Sequence, residues 1–229
     1  MVQIKAVGDC GALVELGDSI SEAVNGRVME LNRNINELSL EGVLETVPAF
    51  CSVLIFYDPL KTDYEAVSKV LFQLSETLEA KAGTGGRLVE IPVCYGGSFG
   101  PDLSFVAEHG NITEEEVIRI HSGRDYRIFM LGFLPGFPYL GGMDERIFTP
   151  RLKTPRTRIP AGSVGIGGEQ TGIYPMDSPG GWQLIGRTPY RLFKPEEAGK
   201  SLYEAGDSIR FVPISQEEFE EISRKQEKG

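Results

Sequence analysis

The chain has 229 residues, enough for one large domain or two modest ones, and its 41% hydrophobic and 24% charged content is ordinary for a soluble globular protein. Its longest apolar run, residues 50–57, is far short of the roughly 20 that a membrane span needs, and the start MVQIKAVGDCG lacks the basic and apolar stretches of a signal peptide, so a cytoplasmic location is expected. A net charge of −10 disfavours nucleic acid and anionic membranes as partners, while three widely spaced cysteines and only two histidines predict reduced thiols and no protein-built metal site.

The elements follow in chain order. Residues 12–16 form a short apolar run, a predicted strand. Ser19-Ile20-Ser21-Glu22 reads as a capping box, and Ile20, Val24, Val28, Leu31, Ile35 and Leu38 then recur at helical spacing. Strands are predicted at 43–47 and 53–57. A second box, Thr62 to Glu65, opens a helix with Tyr64, Val67, Leu71, Leu74 and Leu78 on one face. A strand at 88–93 completes a β-α-β-β-α-β order, the ferredoxin-like arrangement, in which both helices cover one face of an antiparallel sheet. The glycine-rich break at 81–86 reads as a linker, giving an α+β domain at 1–86 and a second domain at 87–229.

The second half differs in character. Gly100-Pro101 is read as opening a short helix that Gly110 stops. Thr113 and Glu116 box the next helix, and Gly123 is expected to end it in a left-handed conformation. A strand is expected at 126–131. Beyond it, twelve of the 28 glycines fall between Gly132 and Gly186, and short apolar pieces at 163–166, 182–185 and 208–212 are separated by Gly/Pro turns. That pattern suits a small β-barrel, followed by a charged helix or frayed tail at 215–229.

Charge is unevenly spread: residues 132–194 carry a net +4 and the remainder −14. A basic island in an acidic chain is what an anionic ligand or an acidic partner would select. Several motifs offer chemistry. Gly96-Gly-Ser98-Phe-Gly100 matches G-x-S-x-G, but no acid and histidine follow at useful distances, so Ser98 reads as a turn residue. Gly165-Ile-Gly-Gly-Glu-Gln-Thr-Gly172 fails both the dinucleotide and the phosphate-loop fingerprints and reads as a tight turn or an anion-binding nest. His121 closes a helix just ahead of the glycine-rich region, placed either to serve as general acid–base or to cap its own helix carbonyls. Residues 149–162 alternate prolines with Arg151, Lys153, Arg156 and Arg158; stiffened cations lose little freedom when they meet a carboxylate or phosphate. Ser178-Pro-Gly180-Gly181-Trp182 sets the only tryptophan after two glycines that allow close approach.

Five stretches carry a resemblance: CYGGSFGPDL (94–103), EEVIRIHS (115–122), LGFLPGFPYLGGM (131–143), the Pro/Arg-rich stretch through PAGSVGI (150–166), and QTGIYP…SPGGWQLIGRTP (170–189). The chain resembles the family of the 5-oxoprolinase B subunit, also called allophanate hydrolase subunit 1 or KipI, after an inhibitor of a sporulation sensor kinase. It departs from the family at Ser98, where members usually carry an acid. The resemblance implies a ferredoxin-like N-terminal domain and a cyclophilin-like β-barrel domain. It implies A and C partner subunits, with which the B subunit opens 5-oxoproline to L-glutamate using ATP, with or without Mg, bound by the complex. His121 would hydrogen-bond the substrate or shuttle a proton. Arg151, Arg156 and Arg158 would meet carboxylate or phosphate, and Gln170, Tyr174, Gly180, Gly181 and Trp182 would line the pocket. The alternative it implies is a regulator that binds a sensor histidine kinase and inhibits its autophosphorylation. Phe133, Pro135 and Phe137 would form the docking rim for either kind of protein partner.

Overall fold

The computed structural model describes residues 2–19, 21–78, 86–196 and 200–226. The chain divides into two compact units, 1–85 and 86–229. The linker expected at 81–86 lies, apart from Gly86, outside the described residues, as does Ile20.

In the first unit, strands β1 (Gln3–Val7) and β2 (Gly11–Glu15) form a hairpin, followed by helix α1 (Glu22–Leu38), strands β3 (Val43–Pro48) and β4 (Ser52–Tyr57), and helix α2 (Tyr64–Glu76). The sheet runs β1-β2-β4-β3 with every pair antiparallel. Ala12, Val14, Val53 and Ile55 point from it onto Val28, Leu31, Ile35, Val67 and Leu71 of the helices, and all of them are buried. The apolar faces read from sequence therefore make this core. Two details differ. The caps are Ser21, whose side chain accepts from the Val24 N–H, and Asp63, which accepts from the Ala66 N–H at 2.8 Å, so each helix starts later than its predicted box. The sixth element is also displaced: the 88–93 strand forms, but in the second unit, and β1 takes the edge place beside β2. The polar alternation of β1, largely exposed, hides it from a search for apolar runs.

The second unit begins with strand β5 (Leu88–Tyr95), then helices α3 (Leu103–Gly110) and α4 (Glu114–Ser122). Strands β6 (Asp125–Leu131) and β7 (Pro138–Leu140) follow, then a 3-10 turn (Glu145–Ile147), β8 (Arg156–Ile159), β9 (Ser163–Gly167), β10 (Gln170–Ile173), β11 (Ser178–Gly180) and β12 (Gln183–Arg187). After β13 (Phe193–Lys194) and β14 (Lys200–Ser201), strand β15 (Ser208–Pro213) and helix α5 (Gln216–Gln226) complete the unit. Seven strands close a barrel in the order β10-β7-β6-β15-β5-β12-β9. β15 runs parallel to β5 and antiparallel to β6, so the last strand locks the first into the wall. Its interior is filled by Ile91, Val93, Tyr126, Ile128, Ile166, Ile173, Ile185 and Phe211.

Helices α3 and α4 pack into the same core through Leu103, Val106, Val117 and Ile120. Thr113 and Glu116 form both bonds of the predicted capping box. Helix α3 ends at Gly110 as expected, with Asn111 left-handed after it, whereas Gly123 sits at φ −81°, outside the left-handed region expected of it. Ser98 is exposed in the turn that follows β5, and Gly165–Gly172 is the β9–β10 hairpin, turned by Gly168 at φ +68°. The tail forms α5, with no buried residue. Among the described residues no helix is long and apolar enough to cross a membrane.

Candidate functional site

Strand β10 separates two environments, because successive side chains point to opposite faces of a strand. Thr171 and Ile173 face the barrel core, whereas Gly172 and Tyr174 face a separate apolar cluster of Phe137, Ile159, Tyr174, Trp182 and Leu184. The sequence-predicted site residues divide between these two faces.

On the inner face lies His121, at 0% exposure. The last turn of α4 carries it into the barrel, where its ring stacks on Phe211 with centroids 4.4 Å apart. Nδ1 is 2.7 Å from the Tyr95 hydroxyl and Nε2 is 2.8 Å from Thr171 Oγ1, which also donates to the Gly165 carbonyl. Burial pushes the imidazole pKa down to about 3, so the ring is neutral at physiological pH. With both nitrogens occupied and no exposed surface, His121 ties α4 to the barrel wall. The expectation that it meets a substrate directly is corrected by this geometry. His109 is exposed and lies against Phe105.

The outer face gathers most of the remaining candidates. Phe137 makes edge contacts with Tyr139, Tyr174 and Trp182 at centroid distances of 5.2, 5.3 and 5.5 Å. Trp182 is held from several sides. Its carbonyl accepts from Arg156 at 3.3 Å. The flanking Gly181 carbonyl accepts from the Leu152 N–H at 2.7 Å, and the Gln183 side chain donates to the Pro150 carbonyl at 2.9 Å. These last two bonds clamp residues 150–152 along 181–183 and set the Arg151 guanidinium over the indole, 5.7 Å from its centroid. Burial pushes the Tyr174 pKa up, while the Trp182 N–H and the charges of Arg151 and Arg156 pull the other way.

Glycines make room for this arrangement. A Cβ on Gly167 would lie 2.5 Å from the Trp182 indole nitrogen, and one on Gly180 would lie 2.6 Å from the Tyr174 hydroxyl. Half-buried Gly180 thus lets the backbone approach the buried Tyr174 side chain closely, as read from sequence. Gln170 is half-buried on β10, in alternation with Gly172 and Tyr174.

Two arginines have other duties. Arg156 pairs with Asp102 at 2.7 Å, and the other oxygen of Asp102 accepts from the Leu184 N–H at 2.6 Å. Arg158 is largely exposed and pairs with Asp177 at 2.7 Å, so of the three arginines expected to meet an anion two are engaged by carboxylates within the chain. The docking rim is corrected too. Phe137 is buried at 2% exposure, while Phe133 (63%) and Pro135 remain at the surface, Phe133 in a left-handed backbone at φ +64°. Asp102, Tyr95 and Thr171 hold the two faces together and carry no local signal. Asp102 in particular reads as a helix start and meets a cation 54 residues away. Among the described residues no group of three or more His, Cys, Asp or Glu is placed to hold a metal, and the three cysteines are free.

An α+β chain with a closed barrel and a cationic, aromatic outer face is the architecture to be matched. The carboxyltransferase domain family, subdomain C and D, matches residues 2–203, and this chain belongs to that family. It is 46% identical to the 5-oxoprolinase B subunit of Bacillus subtilis (strain 168), over 95% of each chain, and 41% identical to the 5-oxoprolinase B subunit of Escherichia coli O157:H7, over 90% of this chain and 94% of that one. The crystal structure of TTHA0988 superimposes with a TM-score of 0.79 at 33% identity, covering 94% of this chain and 40% of that longer one.

Proposed function

We propose that this chain is the B subunit of an ATP-dependent 5-oxoprolinase, acting with the A and C subunits to open 5-oxoproline to L-glutamate. The observation that carries the reading is the 46% identity, over nearly the whole of both chains, to a relative bearing that name. The outer-face cluster supports it independently. A lactam resists water, and phosphorylation of its carbonyl oxygen by ATP converts that oxygen into a leaving group. A site that joins fixed cations to a polar hydroxyl suits the anionic substrate and the charge that develops during transfer. ATP, with or without magnesium, is taken up by the assembled complex, in the cytoplasm.

In this reading the domains expected at 1–86 and 87–229 are a ferredoxin-like domain and a cyclophilin-like barrel. The first is a variant in which the edge strand comes from the N-terminus, since β1 occupies the place expected of a sixth element. The C subunit docks on the rim that Phe133 and Pro135 present, and TTHA0988 is a relative in which the matched part is 40% of a longer chain.

The test is ATP hydrolysis coupled to glutamate release from 5-oxoproline, with this chain mixed with its cognate A and C subunits and each omitted in turn. Turnover that requires this chain is the expected result. Full turnover without it contradicts the reading. Absence of turnover with all three folded subunits directs attention to the second reading, inhibition of sensor-kinase autophosphorylation through the exposed Phe133 rim, measured directly with the kinase.

A further inference from the structure

A cleft of about 500 Å³ opens on the second unit beside helix α5, a size that suits a small organic molecule. Pro175, Met176, Tyr190, Phe193 and Phe219 give it apolar walls. The α5 side is braced at two points. Phe219 packs on Phe99 with ring centroids 4.6 Å apart, and the Gln226 side chain accepts from the Arg191 backbone N–H at 3.0 Å. Ser223, between those two fastenings, lines the cleft. Prolines at 175, 189 and 195 stiffen the remaining wall.

Three charged residues line the cleft, and two of them are neutralised within the chain. Asp177 pairs with Arg158 at 2.7 Å and accepts the Ala161 N–H at 2.8 Å, while Arg191 pairs with Glu196 at 2.6 Å. Arg187 is the third. It is half-buried, and its Nε donates to the Ala161 carbonyl at 2.8 Å, which orients the guanidinium. Among the described residues neither Nη takes part in a hydrogen bond and no carboxylate lies within 4 Å. A missing counter-ion would not single this arginine out. Its place in a walled apolar cleft, already oriented and with both Nη groups left over, does, because those two groups form the fork that meets a carboxylate, phosphate or sulfonate.

We propose that this cleft binds a small molecule carrying one anionic group on a flat apolar body, with Arg187 gripping the anion and Met176, Phe193 and Phe219 covering the body. The single uncompensated cation sets the charge of the ligand, and the apolar walls set the rest, since an inorganic anion would gain the fork alone and bury no apolar surface. A five-membered lactam would leave most of the cleft empty, so the ligand is not the substrate of the proposed reaction. The site goes beyond the 5-oxoprolinase reading and does not depend on it.

The test titrates the full chain with 1-anilinonaphthalene-8-sulfonate, a flat aromatic anion whose emission rises in an apolar site. Saturable binding at one site is expected. Affinity should fall tenfold or more in Arg187→Met, as loss of a charge-assisted bond predicts, and in Ser223→Phe, which fills the cleft from a helix with no buried residue. Arg210→Met, which removes a surface cation paired with Asp125, should stay within twofold of wild type. Near-ultraviolet circular dichroism checks that each variant is folded. Should Arg187→Met fail that check, because it also loses the bond to Ala161, Ser223→Phe decides. Bound dye is then competed with indole-3-acetate, AMP, indole and adenosine. Displacement by one of the two anions, and not by its neutral counterpart, is expected, and the anion that displaces tells a carboxylate ligand from a nucleoside phosphate. Wild-type affinity in a folded Arg187→Met or Ser223→Phe variant overturns the proposal. So does an equal loss in Arg210→Met, the absence of saturable binding, or a bound dye that neither anion displaces.

Discussion

At the scale of single residues, His121 shows how burial decides between two roles that sequence position leaves open. A helix-ending histidine near a glycine-rich region is equally well placed to face solvent or the core. Here the ring is enclosed by Phe211, Tyr126 and Tyr95 and bonded through both nitrogens. Its native pKa of about 3 lies below the unfolded value near 6.5. The unfolded chain therefore binds a proton that the native chain refuses. The histidine's contribution is fully present above the unfolded pKa and is lost progressively as pH falls from about 6.5 toward 3. The predicted slope is about 1.4 kcal/mol per pH unit below the upper limit. Chemical denaturation between pH 7 and 5 reads it before the carboxylates Asp177 and Asp207, whose pKa values lie below their usual range, begin to titrate. His121→Gln should start less stable at pH 7 and show a much flatter profile over that interval. An equally steep profile in the variant would assign the proton elsewhere.

At the scale of elements, whatever a local period or a local cap encodes is legible in the sequence. The α1 and α2 faces, the Thr113–Glu116 box and the three apolar strand pieces at β9, β12 and β15 all follow from spacing. Gly180 is legible as a site of close approach, because glycine next to a tryptophan signals contact. The rest depends on contacts distant in sequence. Polar β1 gains its place only by pairing with β2, and β5 leaves the first sheet because β15, more than a hundred residues on, lines up beside it in parallel. The Asp102–Arg156 pair joins the α3 start to β8 and to the β12 backbone in the same way. Asp102→Asn keeps the shape, removes the charge and leaves a partly exposed arginine without its counter-ion. With Arg156 at 29% and Asp102 at 13% side-chain exposure, the cost is set below that of a fully buried pair, at about 2 kcal/mol in the unfolding of the second unit. A change of less than a few tenths of a kcal/mol in denaturant titration would remove the pair from the framework of the site.

At the scale of the whole molecule, the barrel wall is the organising feature. One strand, β10, presents Thr171 to a dry core that stabilises the unit and Gly172 and Tyr174 to the face where cations and aromatic rings converge. Sequence places Thr171 and Tyr174 three residues apart and gives no sign of the wall between them, which is why a single pocket containing His121 and the arginines is the natural expectation from sequence. The proposed function puts chemistry on the outer face and stability on the inner one. Comparing kcat/KM of the reconstituted complex carrying Gly180→Ala with that carrying Thr171→Val separates the two faces. The first substitution places a methyl 2.6 Å from the Tyr174 hydroxyl, and the second removes the hydroxyl that bonds His121 inside the barrel. Gly180→Ala should lose tenfold or more in kcat/KM while the complex stays folded at the assay temperature, with the crowding of Tyr174 and Ile159 lowering the unfolding midpoint. Thr171→Val should keep kcat/KM within about threefold of wild type while costing about 1–3 kcal/mol of stability, the penalty for an unpaired buried polar group. The reverse pattern, with activity lost from the inner variant and kept in the outer one, would show that the chemistry lies inside the barrel.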